Sequence, residues 1–199
     1  MSTAGCSKFY ETINRKGAPS PNCRAHIGAG APNKLLIISK ASKNMSDNLD
    51  SILMTWSEFG RVADNLTRLV ADNYKDIDVI VGIARSGLPL STFISNHLGK
   101  DMDIIRIRAY DGKTPLAHPT ILNTPHLDLK DKTILLVDDM SDRGETFRLA
   151  IDYITKLHTP KKIYTASIFV NERSTFKPDV YLSTVNKWIV FPWEKDPSE

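Results

Sequence analysis

The stretch Lys132–Arg148, KTILLVDDMSDRGETFR, decides the fold of this chain. Ile134-Leu135-Leu136-Val137, after Thr133, is a short apolar run suited to a buried strand, and it stops abruptly at Asp138-Asp139. Such a strand delivers two carboxylates at its carboxyl end. Ser141-Asp142-Arg143-Gly144-Glu145-Thr146 is turn-rich, and Phe147, Leu149, Ile151 and Ile154 follow at the spacing of a helix laid on a sheet. In an open α/β sheet, ligands bind at the carboxyl ends of strands, and the amides opening the next helix favour an anion. Two acids beside an anion site point to a phosphorylated sugar. The competing reading is an ordinary strand-to-helix turn of the kind that receiver domains and phosphatases also carry.

Outward from this stretch, the strand–turn–helix unit recurs. Upstream, Trp56, Phe59, Val62, Ala63, Leu66, Leu69 and Val70 recur at helical steps, and Thr55 with Glu58 forms a capping box, so a helix is expected to end near Tyr74. Val79–Ala84 reads as a buried strand, Arg85-Ser86-Gly87 breaks it, and Leu88–Leu98 reads as a helix closed by Gly99. Gly87 would let backbone amides approach phosphate oxygens, and Arg85 brings a fixed charge; a solvated turn with a surface arginine is the alternative. Asp103–Arg108 alternates as a strand, and Tyr110–His126 is expected to be a long, proline-interrupted loop containing Asp111-Gly112-Lys113. Lys162–Val170 is another strand. The last patterned segment, Trp188-Ile189-Val190-Phe191-Pro192-Trp193-Glu194, offers an aromatic face and exposed backbone groups, which suit a planar heterocycle. A strand plugging the core, the role assigned to Phe191 and Trp193, is the other reading.

Composition bounds the rest. With 199 residues, 41% hydrophobic and 25% charged, one domain with a sizeable core is expected. No apolar run approaches the ~20 residues a membrane-spanning helix needs. A net charge of +3, with the basic residues spread along the chain, gives little support to nucleic-acid binding. Cys6 and Cys23 both precede the patterned region, so no disulfide is expected to hold the core, and a cytoplasmic location is the default. Residues 1–50 are basic and rich in Ser, Asn, Gly, Ala and Pro. They read as a disordered extension, with Met45 or Met54 as the natural start, as a transit peptide, or as a small ordered arm. Gly28-Ala29-Gly30 lacks the preceding strand and third glycine of a dinucleotide loop, and Cys6, Cys23 and His26 lack zinc spacing.

Taken together, the motif from Ile134 to Thr146 resembles the signature of type I phosphoribosyltransferases, which bind 5-phosphoribosyl-1-pyrophosphate (PRPP). The Ile83–Pro89 turn and the tail from Trp188 to Glu194 resemble that family's landmarks in the same order, the tail being similar to that of xanthine-guanine and other 6-oxopurine enzymes. The resemblance covers about residues 54–194, leaving 195–199 as a tail. It implies a Rossmann-like α/β core, a central mainly parallel sheet flanked by helices, with a flexible hood loop and a small C-terminal base-binding hood. It implies transfer of the phosphoribosyl group from PRPP to a purine, with release of pyrophosphate.

Residue roles follow from the resemblance alone. Asp138 and Asp139 hold the ribose hydroxyls, directly or through water on Mg²⁺, and Asp142 is the acid–base group. Asp142, Arg143, Gly144, Glu145 and Thr146 grip the 5′-phosphate; Arg85, Ser86, Gly87 and Lys113 hold pyrophosphate; Trp188, Ile189, Glu194 and Asn171 receive the base. The partners implied are PRPP, a nucleobase and further copies of the chain in a homodimer or homotetramer, with no nucleic acid or membrane. Two positions depart from the pattern: Arg143 replaces the usual Thr, and Asn171 stands where 6-oxopurine enzymes carry a Lys. Asn can donate and accept, which leaves guanine, xanthine or hypoxanthine specificity open. Those departures raise a rival reading, a PRPP-sensing regulator with the same fold. A phosphoacceptor built on Asp138 is a third, for which no Lys and Ser/Thr constellation is evident.

Overall fold

A computed structural model describes residues 51–111 and 114–194. In chain order the elements are β1 (Ser51–Leu53), α1 (Trp56–Asn73), β2 (Val79–Ala84), α2 (Leu88–Leu98), β3 (Asp101–Asp111), β4 (Thr114–Asn123), β5 (Thr133–Val137), β6 (Met140–Ser141), α3 (Glu145–His158), β7 (Lys162–Asn171), β8 (Val180–Val185) and β9 (Trp188–Val190). The main sheet runs β4-β3-β2-β5-β7, with β6 and β8 also paired to β7, and all its pairings are parallel except β3 with β4. This is the α/β architecture expected.

Strand alternation explains the layers. Val79, Val81, Ile83, Ile134 and Leu136 point to the face covered by Phe147, Ala150 and Ile154 of α3. Ile80, Leu135 and Val137 point to the other face, against Val62, Leu66 and Val70 of α1 and Leu90 and Ile94 of α2. Helices on both faces account for β2 and β5 being buried at every position. Both helical ends read from the sequence hold: Thr55 and Glu58 form the reciprocal capping box, and Gly99 closes α2 at φ 61°.

The connection drawn as a long loop from Tyr110 to His126 is instead a β-hairpin, because β3 continues to Asp111 and β4 pairs back along it. The prolines of this segment do not interrupt the strand. β4 is the edge of the sheet, where a residue without an amide proton forfeits no ladder bond on its open side. Asp103 anchors the return, its carboxylate accepting the His126 and Leu127 amides at 2.6 Å each. Gly112 and Lys113 lie outside the described residues, as do residues 1–50 and 195–199.

A second difference concerns the start of the folded unit. Ser51–Leu53 lies before the expected boundary at Met54, yet it pairs in parallel with Trp188–Val190 to make a separate two-stranded sheet. Met54 then donates its amide to Val190. A three-residue strand carries too little periodicity to be seen in sequence; its partner lies at the far end of the chain. No helix among the described residues is long and apolar enough to cross a membrane.

Candidate active site

The chain leaves β2 through α2 to reach β3 on one side, and leaves β5 through α3 to reach β7 on the other. Their carboxyl ends therefore flank the crevice where the crossovers part, the place where open α/β sheets bind ligands. Arg85-Ser86-Gly87 follows β2 and Asp138-Asp139 follows β5, so the two motifs meet there. A Cβ on Gly87 would come within 2.7 Å of the carbonyls of Ile83 and Val137 and within 2.9 Å of the Asp138 Cα. Only glycine allows these loops to close on each other. The close approach it permits is to the chain itself; its amide donates to the Ile83 carbonyl at 3.0 Å. The Ala84–Arg85 peptide is cis.

Asp138 and Asp139 interrupt a single strand path. Val137 stands opposite Ala166 and Met140 opposite Phe169, so β6 resumes on β7 in the register that β5 left. Between them the Asp139 carbonyl accepts the Ile168 and Phe169 amides, which holds the excursion rigidly. Both side chains are 6% exposed. Ser86 donates to Asp138 Oδ1 at 3.3 Å, and the Asp139 amide donates to the same oxygen at 3.0 Å. Burial, then the charge and hydrogen bond of Asp139, push Asp138 well above the ordinary carboxylate range. Burial raises Asp139 to about 7, with the nearby Glu194 carboxylate adding to the rise. Two buried acids side by side with raised proton affinity mark this as a candidate site.

Glu194 reaches this site from the C-terminal segment. Its Oε2 accepts the Phe191 amide at 2.9 Å, closing the turn after β9. Phe191 and Trp193 stack at 4.9 Å and pack with Phe59, Trp56 and Phe169, so the plug role assigned to these two rings holds. Trp188 is half-buried at the head of β9. The Ile189 side chain lies in the core, so only its backbone is left to meet a ligand.

The loop after the acids is shaped by Gly144, at φ 83°, which is also the N-cap of α3 and supplies no side-chain cap. The opening amides of α3, beside Glu145 and Thr146, are thus not capped by a side chain of the N-cap. Arg143 is exposed, and its carbonyl accepts the Thr175 amide at 3.4 Å and hydroxyl at 3.1 Å. The substitution for Thr therefore leaves the backbone latched and sends the side chain outward.

That latch is one of several made by the segment after β7, which sequence reasoning passed over. Ser174 pairs with Ser141 at 3.0 Å, Ser141 donates to the Phe176 carbonyl at 2.9 Å, Arg148 holds Thr175, and Phe176 stacks on Phe147 at 5.2 Å. Arg173 donates to Asp142 Oδ1 through Nη2 at 2.9 Å and Nε at 3.2 Å. Asn171 is buried at the end of β7, and its Oδ1 accepts the Arg173 amide at 3.1 Å. The run Asn171-Glu172-Arg173-Ser174-Thr175 has no apolar period, only turn-forming residues, so nothing local announces it as a strap. Of the expected site residues, Lys113 alone lies outside the described residues.

Among the described residues no three His, Cys, Asp or Glu side chains form a metal cage. Magnesium is commonly held by one or two carboxylates together with substrate oxygens, so the buried Asp138–Asp139 pair fits it in that mode.

This arrangement of crevice, carboxylate pair and uncapped helix start defines a class. The family model of the phosphoribosyl transferase domain matches residues 55–197, and the chain belongs to that family. It is 35% identical to a purine phosphoribosyltransferase from Pyrococcus horikoshii, with a TM-score of 0.67 over 75% of this chain and 97% of that one. It is also 28% identical over 120 residues to the xanthine-guanine phosphoribosyltransferase of Cereibacter sphaeroides, covering 58% of this chain and 68% of that protein. Over 136 residues it is 26% identical to the transcriptional regulator GfcR of Methanococcus maripaludis, a match spanning 66% of this chain and 66% of the regulator's length.

Proposed function

We propose that this protein transfers the 5-phosphoribosyl group of PRPP to a purine base, a 6-oxopurine, and releases pyrophosphate, as a purine-salvage enzyme. The observation that carries the reading is the buried Asp138–Asp139 pair bridged to the Arg85-Ser86-Gly87 turn by the Ser86 hydroxyl, with Glu194 beside it. Arg85 and the opening amides of α3 would then meet phosphate, and the acid pair would meet the sugar.

In this mechanism the bond from the anomeric carbon to the pyrophosphate oxygen breaks, and its electron pair leaves with pyrophosphate. The base nitrogen forms the new bond, and its proton passes to Asp142. Positive charge develops on the ribose ring, which Asp138 and Asp139 stabilise while holding its hydroxyls. The opening amides of α3 and the Thr146 hydroxyl take the 5′-phosphate, and Arg85 draws off charge from the leaving group. Trp188 stacks on the base, and Asn171 with the β9 backbone meets its edge. Asp138 and Asp139 would hold magnesium, directly or through water, and the ion would supply charge neutralisation for the leaving group.

The test is pyrophosphate release from PRPP and Mg²⁺ across guanine, xanthine, hypoxanthine, adenine, uracil and orotate. Release with one or more of the 6-oxopurines is expected. Use of adenine alone would retain the purine assignment and remove the 6-oxo one. A second reading is a PRPP-binding regulator, favoured by the regulators among the relatives. PRPP binding with no release on any base would establish it in place of the enzyme.

The raised proton affinity of the acid pair gives a pH prediction. Magnesium and sugar hydroxyls bind the deprotonated pair, so protons compete with them below about 7, the value of Asp139. Affinity for Mg²⁺–PRPP should rise from pH 6 to pH 8, and binding near pH 7 should release protons. Calorimetry in buffers of different ionisation heat measures that release; proton uptake would contradict the assignment.

A further inference from the structure

We infer that Arg173 is a positioning residue for Asp142, fixing the carboxylate that the proposed transfer uses as its proton acceptor; the inference rests on that reading. Three observations carry it. Arg173 places both Nε and Nη2 on the same oxygen, Asp142 Oδ1, and the Asp142 side chain is only 12% exposed against 64% for Arg173, so a solvent-facing guanidinium pins one oxygen of a largely enclosed carboxylate. A planar guanidinium fixes an angle as well as a distance, which a single ammonium does not.

Arg173 is itself held. Its amide donates to Asn171 Oδ1, and the Ser174 amide donates to the Asn171 carbonyl at 2.8 Å, so a turn built on a buried residue sets where the arginine starts. The rest of the strap, from Ser174 to Phe176, is bound to Ser141, Arg143 and Phe147 on either side of Asp142. The strap and the loop are therefore joined at several points, and the arginine adds a polar contact between the strap and the Asp142 carboxylate. A surface ion pair of long side chains would be worth little; this one joins an enclosed carboxylate to a fixed backbone. Asn171 thus bears on Asp142 through Arg173.

The test is a double-mutant cycle of Asp142→Asn and Arg173→Ala in the full chain, with Arg173→Lys as the conservative variant. Turnover, KM for PRPP and base, PRPP affinity by calorimetry and thermal midpoint are measured for each. Arg173→Ala should lower kcat roughly tenfold, with PRPP affinity within about twofold of the wild type, and Arg173→Lys should recover part of the loss. In the Asp142→Asn background the second change should have no further effect on kcat. Equal losses in both backgrounds, or a fall in midpoint with kcat and affinity declining together, would overturn the inference, as would unchanged kcat. If the wild-type protein releases no pyrophosphate with any base, the transferase reading fails separately. The cycle is then read in thermal midpoint, where additive shifts overturn the coupling and non-additive shifts sustain it.

Discussion

Replacing Asp139 by Asn should make the protein more stable and disable it at once. The wild-type carboxyl is raised from 3.8 to about 7 by burial and by neighbouring acid. Between those values the folded state holds a proton that the unfolded chain has released, so wild-type stability falls as pH rises through that window. Asn has no charge to bury. At pH 8 the variant should therefore gain on the order of 2–4 kcal/mol over the wild type, and near pH 4 it should gain nothing. Urea unfolding at the two pH values measures the difference, and an equal effect at both would mean that the carboxyl is not the cause. Activity should move the other way. If Asp139 stabilises the developing cation of the proposed transfer, its neutralisation should lower kcat/KM by about 10²–10³-fold. Stability gained by neutralising a buried acid, with function lost, marks a site whose strain is kept for chemistry.

The second large effect belongs to Gly144. Its φ of 83° is a conformation that residues with a Cβ avoid, and a Cβ there would meet the Phe176 Cβ at 2.2 Å. Phe176 cannot retreat, since it is stacked on Phe147 and its carbonyl is held by Ser141 and Ser174. Gly144→Ala should cost about 2–5 kcal/mol, the sum of backbone strain and overpacking, and should weaken PRPP binding by displacing the amides that open α3. Gly60 provides the contrast. It lies within α1 with open space at its Cβ position, so Gly60→Ala should stabilise by about 0.5–1 kcal/mol and leave binding unchanged. Denaturant midpoints and calorimetric PRPP titration of both variants separate a general loss of helix stability from a local clash. Similar behaviour of the two glycines would refute the account.

The legible parts of this molecule were those whose reasons are local. Val79–Ala84 and Thr133–Val137 announced themselves because strands buried on both faces are apolar throughout. The ends of α1 and α2 were readable from Thr55, Glu58 and Gly99, because caps act within a turn of the chain. Asp138 and Asp139 stood out as charge at the end of an apolar run. The hairpin of β3 and β4 was misread because prolines exclude a central strand but not an edge, and no local pattern says which strand will be the edge. Ser51–Leu53 was missed because three residues form a strand only when Trp188–Val190 lies alongside.

For the site, the amino-acid sequence by itself determined the chemical groups and their order: a carboxylate pair, a glycine-containing turn on each of two strand–helix units, and an aromatic tail. It also determined the fold that would gather them, since buried parallel strands must be joined by helices that cross the sheet. Only the tertiary structure decided how those groups act on one another. Burying both carboxylates, setting Asp139 beside Asp138 and bringing Glu194 to the neighbourhood of Asp139 is what raises the acids, with the Ser86 hydroxyl pulling the other way, because desolvation and like charge depend on distance in space. The pairing of Arg173 with Asp142, across segments that share no local pattern, has the same origin. The Asp138–Asp139 turn is thus set by its own residues, while its proton affinity is set by neighbours that folding brings to it.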